Sequence, residues 1–258
     1  MLQGARIAVV VPAFAEERLL PRTLAGVPHW VDIVVVVDDA SPDATAARAR
    51  DAGDPRVVLI RHPENRGVGA SIATGYVQAR ELGADVVAVM AGDAQMDPAD
   101  LESLVAPIVS GQADYVKGNR FVHARAKQMP LLRRWGSRAL SALTRELIGL
   151  EVDDTQCGYT AISSHAIGSL PSRSSGRASA TPDLLGMLAA ARLRVAEVPV
   201  RPVYADEDSG LRPWHLISIG GVIVRRALKN RRATTPDASA APATSLDALA
   251  PLSDALRE

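Results

Sequence analysis

Three short apolar runs, at residues 7–11, 33–37 and 86–90, limit what this chain can fold into more than any other feature. Each is rich in valine and uninterrupted by charge, the composition of a strand buried on both faces of a parallel sheet. A fourth run, 57–60, is similar. Between them lie helical patterns. Residues 45–52 are alanine-rich behind Ser41-Pro42-Asp43, and Val68, Ile72, Tyr76 and Ala79 share one helical face before Gly83. The alternation predicts a βαβαβ unit with right-handed crossovers, an α/β fold whose mainly parallel central sheet is flanked by helices.

Ligands of such sheets bind beyond the carboxyl ends of the strands. The run at 86–90 stops there, at Ala91-Gly92-Asp93-Ala94-Gln95-Met96-Asp97-Pro98. Asp97 before Pro98 is placed to cap a helix. Asp93 stands too early to be that cap and needs another role. The first run ends in Pro12-Ala13-Phe14-Ala15-Glu16-Glu17, where the acids either orient a ligand's hydroxyls or sit near the positive end of a helix. The second ends in Asp38-Asp39-Ala40-Ser41-Pro42-Asp43. Ser41 and Asp43 are candidate caps there, and Asp39 is a candidate acceptor for a nucleobase. Asn65-Arg66-Gly67-Val68-Gly69 precedes a helix, but Ile72 stands where a dinucleotide fingerprint needs a small residue, and the turn follows the third strand instead of the first. That disfavours a nicotinamide dehydrogenase.

The chain has 258 residues, 47% of them hydrophobic, which is ample for one core. Its formal charge is zero, with no basic excess for nucleic acid. A single cysteine, Cys157, excludes an internal disulfide and reads as a packed thiol. His62, His123 and His215 lack metal-cluster spacing. No signal segment or run of eighteen apolar residues appears, so the expectation is a cytoplasmic protein. Residues 132–147 form an amphipathic pattern studded with arginine, 194–200 read as a further strand, and 214–228 as a last helix weakened by Gly220-Gly221. The boundaries expected are one domain over 1–232 and a flexible Ala/Pro/Ser/Thr-rich tail over 233–258.

Taken in order, Pro12 to Glu16, Asp38-Asp39-x-Ser41-x-Asp43, Asn65-x-Gly67, Gly92-Asp93-x-Gln95-x-Asp97-Pro98 and Asp153-Asp154-Thr155-Gln156-Cys157-Gly158-Tyr159 resemble the family-2 glycosyltransferases of GT-A fold. Within that family the pattern is most similar to dolichyl- or polyprenyl-phosphate mannose and glucose synthases. The resemblance implies inverting transfer of a hexose from a nucleotide sugar, of GDP-mannose or UDP-glucose type, to an acceptor, first of all a polyprenyl phosphate. It implies a nucleotide-sugar site at Pro12, Ala13, Phe14, Glu16, Asp39, Ser41, Gly67, Gly92, Asp93 and Arg120. Asp93 and Gln95 would ligate Mg²⁺ or Mn²⁺, Arg120 would contact a phosphate, and Asp183 would orient the acceptor or act as a base. A hard cation does prefer such oxygen ligands, and an arginine fork suits phosphate. For Arg120 an ordinary ion pair is the alternative, and for Asp183 a place at a helix N-terminus behind Pro182.

Three departures from the family pattern bear on function. Ala91 stands where a second carboxylate is usual, Thr181-Pro182-Asp183 keeps only the last acid of the acceptor-side segment, and Asp208-Ser209-Gly210 lacks a phosphate-binding lysine that Arg212 would have to replace. A soluble natural-product or cell-wall precursor as acceptor, and a nucleotide-sugar-binding module with impaired turnover, therefore stay open. The basic helix at 132–147 and the apolar stretch 214–224 either pack conventionally or rest on the inner face of a membrane. A homo-oligomer is compatible with all of these readings.

Overall fold

The computed structural model describes residues 1–123, 138, 141–142, 144–146, 149–170 and 180–203, with the side chains of 180–183 excepted. The expected helix at 214–228, the segment 208–212 and the tail lie outside these residues, as does most of the expected helix at 132–147.

The first three apolar runs become β1 (Ile7–Ala13), β2 (Ile33–Asp38) and, after the half-buried β3 (Val57–Arg61), β4 (Val86–Val89). Helices α1 (Leu20–Gly26), α2 (Thr45–Arg50) and α3 (Val68–Glu81) connect them, and α4 (Leu101–Val109) follows a 3₁₀ turn at Pro98–Asp100. Beyond lie β5 (Tyr115–Asn119), β6 (Thr160–Ser163), α5 (Ser164–Ser169), α6 (Ala180–Ala190) and β7 (Val195–Pro199).

The seven strands lie in the order β3-β2-β1-β4-β6-β5-β7. All pairings are parallel except those of β6, which runs antiparallel to both β4 and β5. Side chains alternate across the sheet as the pleat requires. Ile7, Val9 and Val11 join Val34 and Val36 beneath α1 and α4, whereas Ala8 and Val10 join Val35 and Val37 beneath α3, α5 and α6.

Two expectations need correction. β3 is an edge strand, so its valines are only partly covered, unlike those of the three buried runs. On α3, Val68 is 56% exposed, and the buried stripe is Ala70, Ser71, Gly75, Tyr76 and Ala79. Gly75 explains the shift, because a Cβ there would come within 2.2 Å of Val10 Cγ1, so backbone rather than a side chain faces β1.

The topology fixes the site. β2 and β4 flank β1 on opposite sides, so the loops leaving β1 and β4 part at a switch point, where open α/β sheets place their ligands. Because β6 is reversed, the residues that precede it, 153–159, arrive at that same rim.

Candidate active site

The loops after β1, β2 and β4 are bonded into one rim. Gly92 N–H donates to Pro12 O at 3.1 Å, and Asp39 N–H to Ala13 O at 2.9 Å. Ala15 N–H donates to Ser41 Oγ at 3.0 Å, Glu16 N–H to Thr45 Oγ1 at 2.8 Å, and Ala44 N–H to Glu17 Oε2 at 3.0 Å. Pro12, Ala13, Asp39, Ser41 and Gly92 thus lie in one rim, Gly67 joins it through Asp39, and Phe14, 47% exposed, projects from it. Ala15, Ala40 and Ala94 all adopt φ between 54° and 58°. A left-handed alanine is unfavourable by roughly 1–2 kcal/mol and persists where its surroundings over-determine it. Each of these three loops has one.

Asp39 is 3% exposed. His62 Nδ1 lies 2.6 Å from its Oδ1, and the amides of Arg66 and Gly67 donate to it at 2.9 and 2.7 Å. Three of a carboxylate's four acceptor positions are therefore filled by the protein, and Asp39 holds down the 65–67 turn. Gly67, at φ +87°, supplies the backbone conformation which that turn requires. Burial pushes the Asp39 carboxyl up, but the Arg66 amide, His62 and the Gly67 amide outweigh it and leave it below the ordinary range. His62, buried and within 3.0 Å of Thr74 Oγ1, was not legible as a partner of Asp39, because the two follow different strands, β3 and β2.

The β4 loop carries Asp93, whose Oδ1 accepts Gln95 N–H at 3.0 Å, while Asp97 caps the 3₁₀ turn through Ala99 N–H at 3.0 Å. Ala91 N–H points to Met96 Sδ at 3.3 Å. Among the described residues no group of three His, Cys, Asp or Glu side chains could hold a metal ion by itself. Asp93 and Gln95 supply a carboxylate and an amide oxygen, a donor set that fits a hard cation sharing its remaining ligands with a diphosphate.

Across the crevice, Arg120 donates through Nε and Nη2 to Asp154 at 2.7 and 2.8 Å, and its own amide adds a third bond at 3.1 Å. Burial raises the Asp154 carboxyl, yet Arg120 holds it below the usual carboxylate range. Glu197 on β7 accepts the amides of Asp153 and Asp154, each at 2.9 Å, and Asn119 Nδ2 at 3.1 Å. Lys117, fully buried on β5, donates to Cys157 O at 2.5 Å, and burial pushes its ammonium down to about 8. Two contacts sew this half to the β4 loop: Tyr159 OH donates to Asp97 O at 3.0 Å, and Arg201 pairs with Asp97 at 2.5 Å.

A cavity of about 310 Å³ opens beside β5, lined by Phe121, Val122, Arg138, Ser141, Arg145 and Asp153. The Arg138 guanidinium stands 5.6 Å over the Phe121 ring, and Arg145 pairs with Asp153 at 2.6 Å. Asp183 lies in the first turn of α6, and its side chain is outside the described residues.

Known proteins agree with this architecture. The model of the family described as Glycosyl transferase family 2 matches residues 8–166. UDP-N-acetylglucosamine--dolichyl-phosphate N-acetylglucosaminyltransferase of Methanococcus voltae is 29% identical over 217 residues, 78% of this chain and 86% of that protein. Undecaprenyl-phosphate mannosyltransferase of Micrococcus luteus is 34% identical over 161 residues, 60% of this chain and 65% of that protein. Among solved structures, glucosyl-3-phosphoglycerate synthase from Mycobacterium tuberculosis, in complex with Mn²⁺, UDP and glucosyl-3-phosphoglycerate, superposes with a TM-score of 0.62 at 22% identity, covering 88% of this chain and 80% of that one.

Proposed function

The chain belongs to glycosyl transferase family 2, and from that membership we propose that it moves a hexose from a nucleotide sugar to a polyprenyl phosphate with inversion at the anomeric carbon. The observation that carries this reading is the Asp93 loop, an oxygen-donor pair held by backbone bonds at the switch point of the sheet. Phe14 and Glu16 form the nucleoside side of the crevice, with the Asp39-anchored turn behind them.

Asp93 and Gln95 would hold Mg²⁺ or Mn²⁺, which when bound would supply the positive charge that a departing nucleoside diphosphate requires. The remaining contributions come from the chain itself. Arg120 presents a permanent cation toward phosphate from a position fixed by Asp154. The acceptor enters beside Arg138 and Arg145, where guanidinium groups and the apolar edges of Phe121 and Val122 suit a phosphate joined to a hydrocarbon chain. An anionic phosphate needs little deprotonation before it attacks, so no strong base is required, and Asp183 serves to orient it. Among the described residues no helix is long and apolar enough to cross a membrane.

Turnover with Mn²⁺, undecaprenyl phosphate and a panel of UDP-hexoses and GDP-mannose tests the proposal. One donor should yield a lipid-linked sugar of inverted configuration, and Asp93→Asn should abolish it. A retained configuration, or transfer only to a soluble acceptor, overturns it.

A further inference from the structure

We propose that Thr23, on α1 and about 70 residues in sequence from the β4 loop, is the positioning residue that sets the Asp93 loop for its cation. Thr23 is 4% exposed. Its hydroxyl donates to Gly92 O at 3.1 Å and accepts Ala94 N–H at 3.1 Å, so one side chain grips the backbone on both sides of Asp93. A hydroxyl offers one hydrogen and two lone pairs, and here the hydrogen and one lone pair are spent on a loop about 70 residues away. Within a helix a threonine commonly turns back on the preceding turn. This one reaches outward instead, while its own amide makes the ordinary helical bond to Leu19 O at 3.0 Å.

The residue gripped most directly, Ala94, has φ 54°. An alanine relaxes from that conformation unless something retains it. If it relaxed, Asp93 would turn and the Gln95 amide would leave its carboxylate. Gly92 cannot drift the other way, because it is packed against β1, with its own amide on Pro12 O and Ala13 Cβ only 3.2 Å from where a Cβ would lie. Thr23 thus fixes one end of a loop whose other end is tied by Tyr159 and Arg201 to Asp97.

This inference rests on Asp93 being a cation ligand, and the experiment separates the two. Mn²⁺ binding in the presence of UDP or GDP is titrated for wild type, Thr23→Val, Thr23→Ser and Asp93→Asn, and amide hydrogen exchange is followed over 92–96 in the metal-free protein. Thr23→Val keeps the side-chain shape and loses both bonds, so Mn²⁺ affinity should fall about tenfold and exchange over 92–96 should quicken by a similar factor, with α4 unchanged. Thr23→Ser should restore both. Unchanged exchange in Thr23→Val, or failure of serine to rescue, overturns the role of Thr23. If Asp93→Asn binds Mn²⁺ like wild type, the ligand assignment falls and the inference with it, even where exchange still shows Thr23 holding the loop. If Asp93→Asn loses Mn²⁺ while Thr23→Val retains it, only the inference fails.

Discussion

Arg120 and Asp154 face one another as a planar fork and a carboxylate, with two bonds of 2.7 and 2.8 Å, and Asp154 has no exposed surface. A buried pair of this kind is weak evidence for stability but is costly to break on one side. Asp154→Ala should destabilise the protein by about 3–5 kcal/mol, because Arg120 and Lys117 lose their counter-charge. The double variant Arg120→Met/Asp154→Leu should recover most of that loss in urea denaturation while abolishing transfer. Equal destabilisation by the single and double variants would show that the pair is not the cause.

Ser41 holds the Ala15 amide as Thr23 holds that of Ala94. Ser41→Ala leaves this amide without its acceptor, at a cost of about 1–3 kcal/mol. It should also loosen the Phe14 side of the crevice. Calorimetric titration with UDP and GDP should show weaker binding by whichever nucleotide the wild type prefers. Unaltered affinity would dissociate the β1 loop from nucleotide binding.

Lys117 gives the protein a pH signature. Its ammonium titrates at about 8 in the fold against 10.5 ordinarily, so between those values the unfolded chain holds more protons than the native one. Stability contributed by this group therefore rises with pH from about 8 to 10.5, at a slope of at most about 1.4 kcal/mol per pH unit. Compared with Lys117→Met, wild type should gain in urea midpoint between pH 7.5 and 9.5. Parallel profiles would mean that Lys117 keeps its proton in the folded protein across this range and that burial does not lower its pKa.

At Gly75, α3 lies directly against Val10 of β1. Gly75→Ala places a methyl into Val10 and should cost about 1–3 kcal/mol by overpacking, despite the gain in helix propensity. Val10→Ala in the same chain should restore part of the melting temperature. Failure of that second change to compensate would place the strain elsewhere.

The valine runs announced β1, β2 and β4 because those strands are covered on both faces, and only such strands need be apolar throughout. β5 was hidden by Lys117 and Gly118 in its middle, an ammonium that is tolerated in the interior because Cys157 O receives it. β6, Thr-Ala-Ile-Ser, is too short and too mixed to show a period. Near the β4 loop, Asp97 was legible because its bond is a local cap, whereas Ser41, read as a candidate cap, instead holds the Ala15 amide of the neighbouring loop. Thr23, His62, Glu197 and Arg201 were not legible. Their partners lie between 12 and 104 residues away, and spacing in one sequence carries no trace of such pairings. Asp39 was legible as an acid at a strand end, but the neighbours that occupy its oxygens were not.

The reversed strand β6 also guards the molecule against its own kind. It pairs with Val86–Val89 along the flank of β4 that β1 leaves open. A chain truncated before Thr160 would retain every donor-side loop yet present Val-Val-Ala-Val as an unprotected sheet margin, flat, uncharged and ready to recruit a second copy. Such a fragment should form insoluble assemblies at concentrations where the longer chain stays dispersed.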